Sequence, residues 1–413
     1  MLCLTGLPLS AVINQTSIIM STLLSGTDVR TSSTLGKPLI FAMAAASGIS
    51  VANIYYNQPM LEVMTASFPG SRAIALIPTA TQLGYALGLL LLVPLGDKFD
   101  RRRLIVWQFL LLALASVLAA LSPSAPLLLI VSVLIGCGAT AAQQIIPVAA
   151  SMSGVGQRGA VVGTVMSGLL SGILLSRTVA GLVADAAGWR MMFWLSVPLA
   201  LAGAAFMARM LPACMPEQSV RYVTLMRSLL TLWREERALR KATFVQGVLF
   251  ASFSAFWSVL ALYLSVGSHP LGAAAAGLFG VIGVAGITAA PFAGRMADRV
   301  GSRPVIIAGV LLTLLSWGVF SIWTSVTGLI VGVILLDLGV QSALVAHQHV
   351  IYGLREAARG RINTLFMGGM FLGGALGSTG AMAAWMHGGW SLVAVFAIGL
   401  TLLAVVAVLW KRQ

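Results

Sequence analysis

Charged residues are scarce in this chain. Of its 413 residues, only 9% are Asp, Glu, Lys or Arg, whereas 59% are hydrophobic. Soluble globular domains carry roughly 25% charged residues. A soluble core of this size could not bury so much apolar surface. The composition therefore excludes a soluble domain and indicates that lipid is the main solvent.

Acidic residues are the scarcest charges, with 11 against 25 Lys and Arg and a net charge of +14. A surplus of basic residues could bind nucleic acid, but the positions of these residues argue against that partner. If the chain crosses a membrane twelve times with both termini in the cytoplasm, Arg72 and Arg190 alone face outward and Arg177 lies within a span. Every other basic residue faces the cytoplasm, which is the positive-inside pattern expected in a plasma (inner) membrane. We expect these loops to meet anionic lipid.

Cysteines and enzyme motifs are also few. Cys3, Cys137 and Cys214 are widely spaced, which indicates neither a disulfide framework nor a metal site. The sequence contains no Walker loop, Rossmann fingerprint or HExxH helix. We expect a protein that is not an enzyme and that uses no metal or cofactor.

The two halves of the chain repeat one another at an offset of 201 residues. Asp97 in VPLGDKFDRRRL corresponds to Asp298 in GRMADRVGSRPV. The same offset relates Arg158-Gly159 to Arg359-Gly360, Gly168 and Gly172 to Gly369 and Gly373, and Gly188-Trp189 to Gly389-Trp390. Chance apolar sequence does not reproduce a common offset at four landmarks. Tandem halves of this kind are typical of secondary transporters built from repeats.

Apolar runs of about 20 residues, the length that spans a bilayer, predict twelve helices. They lie near 38–58, 73–95, 103–122, 126–148, 159–184, 190–210, 242–264, 271–294, 304–324, 327–350, 362–386 and 390–410. We therefore predict an all-α membrane protein of two pseudo-symmetric six-helix bundles. The predicted parts are an N-terminal tail (1–36), an N-terminal bundle (37–211), a cytoplasmic linker (212–241) and a C-terminal bundle (242–413). Within the linker, residues 224–241 are typical of an amphipathic helix on the inner membrane face, with a plain tether as the alternative.

The loops after spans two and eight carry a recognisable motif. The chain resembles the major facilitator superfamily over residues 37–410, whose signature there is G-x-x-x-D-R/K-x-G-R-R/K. The second copy matches at Gly294, Asp298, Arg299, Gly301 and Arg303, and the first at Asp97, Lys98, Arg101 and Arg102. Val93 and Asp100 stand where the first copy should have glycines.

The resemblance implies a cytoplasmic ionic latch in these loops. Its predicted members are Asp97, Arg101, Arg102, Asp298, Arg299 and Arg303. A carboxylate can sit at the N-terminus of a neighbouring helix, where the helix dipole and free amides favour negative charge. The alternative is a basic loop that only sets the topology.

Span five resembles the glycine-rich motif of the export branch of the family, including the acriflavine-type multidrug exporters. Gly168 and Gly172 match, whereas Ile173 replaces the usual proline and the final glycine pair is absent. Small residues at this spacing allow close helix packing, so the motif predicts either a leak-limiting seam that favours efflux or ordinary packing. In span four, Ser132 stands where many proton-coupled members carry an Arg, which weakens a proton relay taken over from the family.

Arg177 and Asp337 are the charges that fall inside predicted spans. Each costs about 2.5–3.5 kcal/mol at a helix centre on insertion scales unless it is paired or hydrated. We predict that Asp337 carries the coupling proton and that Arg177 is its charge partner or binds an anionic group. The alternative is a purely structural pair between the halves.

Spans one, four, seven and ten line the central cavity in this superfamily. The predicted cavity residues are Asn53, Tyr56, Asn57, Gln143, Gln144, Gln246, Trp257 and Gln341. A hydrogen bond between helices is the alternative for any single Asn or Gln. His347 and His349 are expected at the cytoplasmic interface.

These features together predict an alternating-access transporter that exports a small organic or amphipathic compound in exchange for protons. Proton-coupled uptake of a metabolite is the first alternative, and a non-transporting membrane sensor is the second. The expected partners are the lipid bilayer, the substrate and protons, and nucleic acid is not one of them. Since two halves in one chain supply a complete translocation unit, we expect a monomer.

Overall fold

The computed structural model describes residues 36–154, 157–213, 215, 221–266 and 271–410, and this part of the chain is all-α. The predicted N-terminal tail lies outside the described residues except for its last position. The helices are α1 (Lys37–Ala52), α2 (Asn57–Ser67), α3 (Ile77–Leu91), α4 (Arg101–Ala120), α5 (Ala125–Gly138), α6 (Ala141–Met152), α7 (Arg158–Ala187), α8 (Trp189–Met210), α9 (Tyr222–Glu235), α10 (Arg237–Ser265), α11 (Ala273–Ile282), α12 (Val284–Val300), α13 (Ser302–Ile322), α14 (Val326–Tyr352) and α15 (Arg359–Leu409).

Ten helical segments in the described part of the chain are long and apolar enough to cross a membrane. Helix α11 is apolar but shorter, and α12 follows it directly. Helix α15 has 51 residues and is interrupted by non-helical backbone at Gly388 and Gly389. A straight helix of that length would be more than twice as long as the roughly 30 Å hydrocarbon core, so α15 holds more chain than one crossing needs.

The first span is longer than the sequence predicts. The predicted end at 58 is wrong, because after a break at residues 53–56 the chain continues as α2 to Ser67. Pro59 does not end the helix because it lies in the first turn of α2, where its missing N–H has no intrahelical partner to lose. Because of this break, the polar residues Asn53 and Asn57 point in different directions.

Glycines bring helix backbones into contact at corresponding places in the two halves. A Cβ atom on Gly172 of α7 would lie 2.5 Å from Cα of Gly48 in α1. One on Gly373 of α15 would lie 2.7 Å from Cα of Gly247 in α10. Without a hydrophobic drive between helices in lipid, such close approach supplies the packing contacts. The 201-residue repeat therefore corresponds to a repeated helix seam.

The repeat also extends to the backbone at the ends of these helices. Gly188 and Gly389 both have positive φ, at 82° and 59°, and each precedes a tryptophan. Only glycine adopts such angles without steric cost, so the same sharp turn recurs in both halves.

The linker contains the predicted amphipathic helix, as α9. Its buried residues Leu225, Leu229 and Leu232 recur at helical spacing. Leu232 packs on Ile351 and Phe366, so this face contacts protein. The predicted helix was too long, because residues 237–241 begin α10 instead.

An ionic clamp fixes the end of α9. Arg355, in the loop after α14, lies 2.6 Å from the carboxylate of Glu236 and 2.9 Å from that of Glu235. The hydrogen bonds that Arg355 donates to the Glu235 and Glu236 carboxylates raise the pKa of Arg355 above its ordinary value. The clamp joins the linker to the C-terminal half of the chain.

The seam between α1 and α7 gives the first test. Gly172→Ala should destabilise the protein by about 1–3 kcal/mol, because its methyl group would overlap the Gly48 backbone. Gly163→Ala on the same helix meets nothing within 4 Å and should be neutral or stabilising by up to about 1 kcal/mol. Thermal unfolding of the purified variants measures both. Equal midpoints would contradict a tight seam.

Candidate functional site

Buried polar side chains connect the two halves along α3, α10 and α15. The amide of Gln82 donates to Ser378 Oγ at 3.1 Å and accepts from Ser254 Oγ at 3.1 Å. Ser258 lies 2.5 Å from the same Ser378 hydroxyl. Near the start of α3, the Thr79 and Thr379 hydroxyls lie 3.1 Å apart. None of these residues was predicted to be functional, since single Ser and Gln residues carry little signal in sequence.

A second connection joins α7 to α11. Asp185 accepts hydrogen bonds from the backbone N–H groups of Ala273 and Ala274, each at 3.0 Å. This is the favourable position of a carboxylate at a helix N-terminus that the sequence led us to expect for the latch residues. Thr178 donates to the Gly277 carbonyl at 3.1 Å, one turn further along. The C-terminal part of α7 is therefore fixed to the other half of the chain.

Arg177 lies on α7 within this junction and is only 2% exposed. Its Nε donates to Gln58 Oε1 at 2.8 Å. Its guanidinium carbon lies 4.0 Å from the ring centroid of Trp257, 4.5 Å from that of Tyr55 and 5.9 Å from that of Phe253. Aromatic faces attract a cation electrostatically, and this offsets part of the cost of burying it. Tyr55 and Phe253 were missed by the sequence analysis, although Tyr55 stands beside the predicted Tyr56.

Asp337 lies on α14 and is 4% exposed. A Cβ atom on Gly283 would lie 2.8 Å from its Oδ2, and one on Gly280 would lie 2.9 Å from Cβ of Arg177. Both charged side chains therefore border the C-terminal turn of α11. Among the described side chains, no basic nitrogen lies within 4.0 Å of the Asp337 carboxylate, so the predicted charge pair is not bonded directly in this structure.

Several predicted cavity residues make hydrogen bonds inside the N-terminal half. Asn53 accepts from Ser196 at 2.6 Å, and Asn57 donates to Thr81 Oγ1 at 2.9 Å. Gln144 donates to the carbonyls of Leu92 and Val93, and Tyr56 is part of the N-terminal core. For these residues the geometry agrees with the alternative of contacts between helices.

The remaining predicted cavity residues lie closer to the junction. Gln143 donates to Tyr85 Oη at 3.1 Å, and the Tyr85 ring lies 4.4 Å from that of Phe371 on α15. Gln341 is half-buried one turn after Asp337, and Trp257 contacts Arg177.

Gln246 makes its contacts within the C-terminal half. It lies 3.2 Å from His347 Nδ1 and donates to the Val340 carbonyl at 3.4 Å. His347 is buried among the helices, with 4% exposure, near the end of α14, whereas His349 is exposed.

The predicted latch residues form pairs within each half. Asp97 accepts from Arg101 at 2.9 Å, whereas Arg102 donates to the Ala208 carbonyl of α8. Asp298 is paired with His349 at 3.3 Å instead of with an arginine. Arg299 and Arg303 are exposed.

The first copy of the motif differs for a structural reason. Asp100 accepts from Arg102 N at 3.0 Å and caps α4. Its counterpart Gly301 adopts φ of 89° before α13. A cap of this kind uses an ordinary backbone conformation, so the first copy does not need glycine there.

The chemistry available at the junction is that of charge and hydrogen bonding. In the described part of the chain, no group of three or more His, Cys, Asp or Glu residues could hold a metal ion. One cation, one acid, aromatic faces and amides meet between the two halves. Such a set can bind a small molecule or a proton.

Asn53 provides a test of the structural assignment. Asn53→Ala should lower stability by about 1–3 kcal/mol, because the Ser196 hydroxyl loses its buried acceptor. Gln341→Ala, at a half-buried position, should change stability by no more than about 0.5 kcal/mol. Thermal unfolding of both variants measures the difference. An unchanged midpoint for Asn53→Ala would return this residue to the cavity wall.

Comparisons with known proteins agree on the family. The family model described as Major Facilitator Superfamily matches residues 40–289 and 242–413. The chain is 41% identical to "Uncharacterized transporter YgaY" of Escherichia coli O157:H7, over 92% of this chain and 96% of that protein. It is 32% identical to "Probable transporter SCO4007" of Streptomyces coelicolor, over 87% of this chain and 84% of that protein.

Two solved structures share the fold. A variant of the peptide transporter POT in complex with alafosfalin matches with a TM-score of 0.70 at 14% identity, over 89% of this chain and 93% of that one. The human organic anion transporter MFSD10 (TETRAN) matches with a TM-score of 0.69 at 15% identity, over 90% and 99%.

Family membership removes the alternative of a non-transporting sensor. The protein is a multi-pass integral membrane transporter, not an enzyme, and it belongs to the Major Facilitator Superfamily.

Proposed function

We propose that the protein is a secondary active transporter of twelve spans in two six-helix bundles, divided at residues 212–241. The break in α15 at Gly388 and Gly389 supports two crossings there, and α11 with α12 supports one more. The basic loops support cytoplasmic termini in an inner membrane. We further propose that the protein works as a monomer and has no nucleic-acid partner.

We propose that this transporter exports a small organic compound and couples the transport to protons. The observation that carries the proposal is that Arg177 and Asp337 are both buried at the same turn of α11 but are not bonded to each other. Protonating Asp337 removes a costly buried charge, and this can shift the balance between two arrangements of the halves. Asp337 is thus the proposed coupling residue.

Alternating access is supported by an asymmetry of α7. Its C-terminal part contacts α11 through Thr178, Gly181 and Asp185. Towards its N-terminus, added Cβ atoms on Gly159 and Gly163 would meet nothing within 4 Å. We propose that this free end approaches the other half when the cytoplasmic side closes. The latch carboxylates Asp97 and Asp298, now bound within their own halves, would then exchange partners.

The export direction is supported by the seam that Gly168 and Gly172 make with α1. Proton-coupled uptake is the second candidate. It is favoured by Ile173 and Ser132, which replace the proline of the export motif and the Arg of the family's span-four motif.

Flux into proteoliposomes tests coupling at Asp337. The probes are ethidium, a cation, and dansylglycine, an aromatic carboxylate, under pH gradients of either sign. We expect wild type to accumulate at least one probe under one sign only, and a protonophore or Asp337→Asn to abolish this. The exposed Glu356→Gln should behave as wild type.

Protein-free liposomes measure passive entry of the probes. Accumulation with an acidic lumen indicates exchange for protons, and accumulation with an alkaline lumen indicates co-transport. If folded wild type moves neither probe in response to a gradient, proton-coupled transport of such compounds fails.

A cross-link tests movement between the halves. Thr79→Cys with Thr379→Cys, in a protein whose three native cysteines are replaced by serine, should form a disulfide across the 3.1 Å contact on oxidation. Transport should then fall to background and return on reduction, because the halves can no longer separate there. Each single variant is the control. Full transport by the cross-linked protein would contradict rocking at this seam.

A further inference from the structure

Two hydrogen-bond donors are left without acceptors where the halves meet. Arg177 Nη2 and Trp257 Nε1 are fully buried and have no hydrogen-bond partner. They belong to side chains in direct contact, since the guanidinium carbon lies 4.0 Å from the centroid of the Trp257 ring. Buried polar groups are nearly always hydrogen-bonded, so two adjacent exceptions require an explanation.

The surroundings of Arg177 account for its ring faces and its Nε, but not for Nη2. The rings of Tyr55 and Trp257 lie 4.5 Å and 4.0 Å from the guanidinium carbon, and Gln58 takes the Nε hydrogen. Nη2 therefore remains as a buried donor without an acceptor. An arginine presents its N–H donors in a planar fork that matches a carboxylate.

We propose that Arg177 Nη2 and Trp257 Nε1 form a subsite for the carboxylate of a transported organic monoanion. The proposal rests on the transport function but not on its direction. A single cation with neutral neighbours balances one negative charge, and the nearby Asp337 disfavours a second. Tyr55 and Phe253 supply aromatic surface for an apolar or aromatic body. The proposed substrate class is small monocarboxylates with such a body.

Asp337 should then influence the subsite through charge. It is the acid that borders the same turn of α11, and among the described residues the titratable groups that act on Arg177 are Tyr55 and Asp337. An ionised Asp337 weakens the attraction of this region for an anion, and a neutral one does not. Anion and proton are therefore expected to bind together.

Arg190 offers a matched control. Its guanidinium carbon also lies over aromatic rings, 4.3 Å from Trp189 and 5.7 Å from Phe68. Unlike Arg177, however, its Nη2 donates to the Ser122 carbonyl at 3.1 Å. If stacking on rings were the whole role of Arg177, substituting Arg177 or Arg190 would have the same effect on anion binding.

The test is equilibrium binding of radiolabelled benzoate to the purified full chain, with the neutral benzamide as competitor. We expect saturable benzoate binding that benzamide does not displace. Arg177→Gln should weaken it about ten-fold or more, since a hydrogen bond to a charged group is lost. Trp257→Phe keeps the ring without Nε1 and should weaken it several-fold. Arg177→Lys should recover part of the loss, Asp337→Asn should tighten binding, and Arg190→Gln should change nothing.

The proposal is overturned if folded wild type binds no benzoate, if benzamide competes equally, or if Arg177→Gln and Arg190→Gln bind alike. Ethidium flux separates this outcome from failure of the proposed function. Proton-coupled ethidium flux without benzoate binding would retain the transporter and remove the subsite. Benzoate binding through Arg177 without gradient-driven flux of either probe would retain the subsite and remove proton coupling.

Discussion

The rest of this structure depends on how helices hold together in lipid. Each helix satisfies its own backbone, but apolar side chains gain little by moving from lipid to a neighbouring helix. Close backbone contact replaces that drive, and glycine permits it, as Gly172 does against Gly48 and Gly373 against Gly247. The same helix α7 meets α11 at Gly181, so its register against α1 also sets where Arg177 lies between the halves.

Charge is the second constraint, and three charged side chains at the junction, the exposed Asp185 and the buried Arg177 and Asp337, each have different surroundings. Asp185 lies against the N-terminus of α11, where free amides neutralise it. Arg177 relies on aromatic faces and one amide oxygen. Among the described side chains, no basic nitrogen lies within 4.0 Å of the Asp337 carboxylate. A buried carboxylate without a bonded cation can lose its costly charge by accepting a proton. The proposed coupling centres on Asp337 for this reason.

Sequence reasoning predicted the elements better than the directions of side chains. Apolar runs locate the helices because helix formation in a membrane depends on local composition. The 201-residue repeat relates the helices of the two halves, and the turns at Gly188 and Gly389 follow the same offset. In a continuous helix, the predicted cavity residues Asn53 and Asn57 would share one face, four residues apart. The break at residues 53–56 separates them, so Asn53 meets Ser196 and Asn57 meets Thr81. The contacts of Phe253 and Asp185 depend on helices far away in sequence, which no local pattern records.

Charge balance connects the proposed subsite to the proposed coupling. With no substrate, Arg177 stands opposite an ionised Asp337, and the region is neutral overall. With a proton on Asp337 and a monoanion on Arg177, it is neutral again. Because charge in a low-dielectric interior is costly, the protein should change between its two arrangements easily only when this region is neutral overall. A cation at this site would leave one excess positive charge even with Asp337 ionised, and two with Asp337 protonated. With the proposed subsite occupied, proton and anion would cross together, and the proposed export would then require an outward anion gradient that exceeds the inward proton gradient.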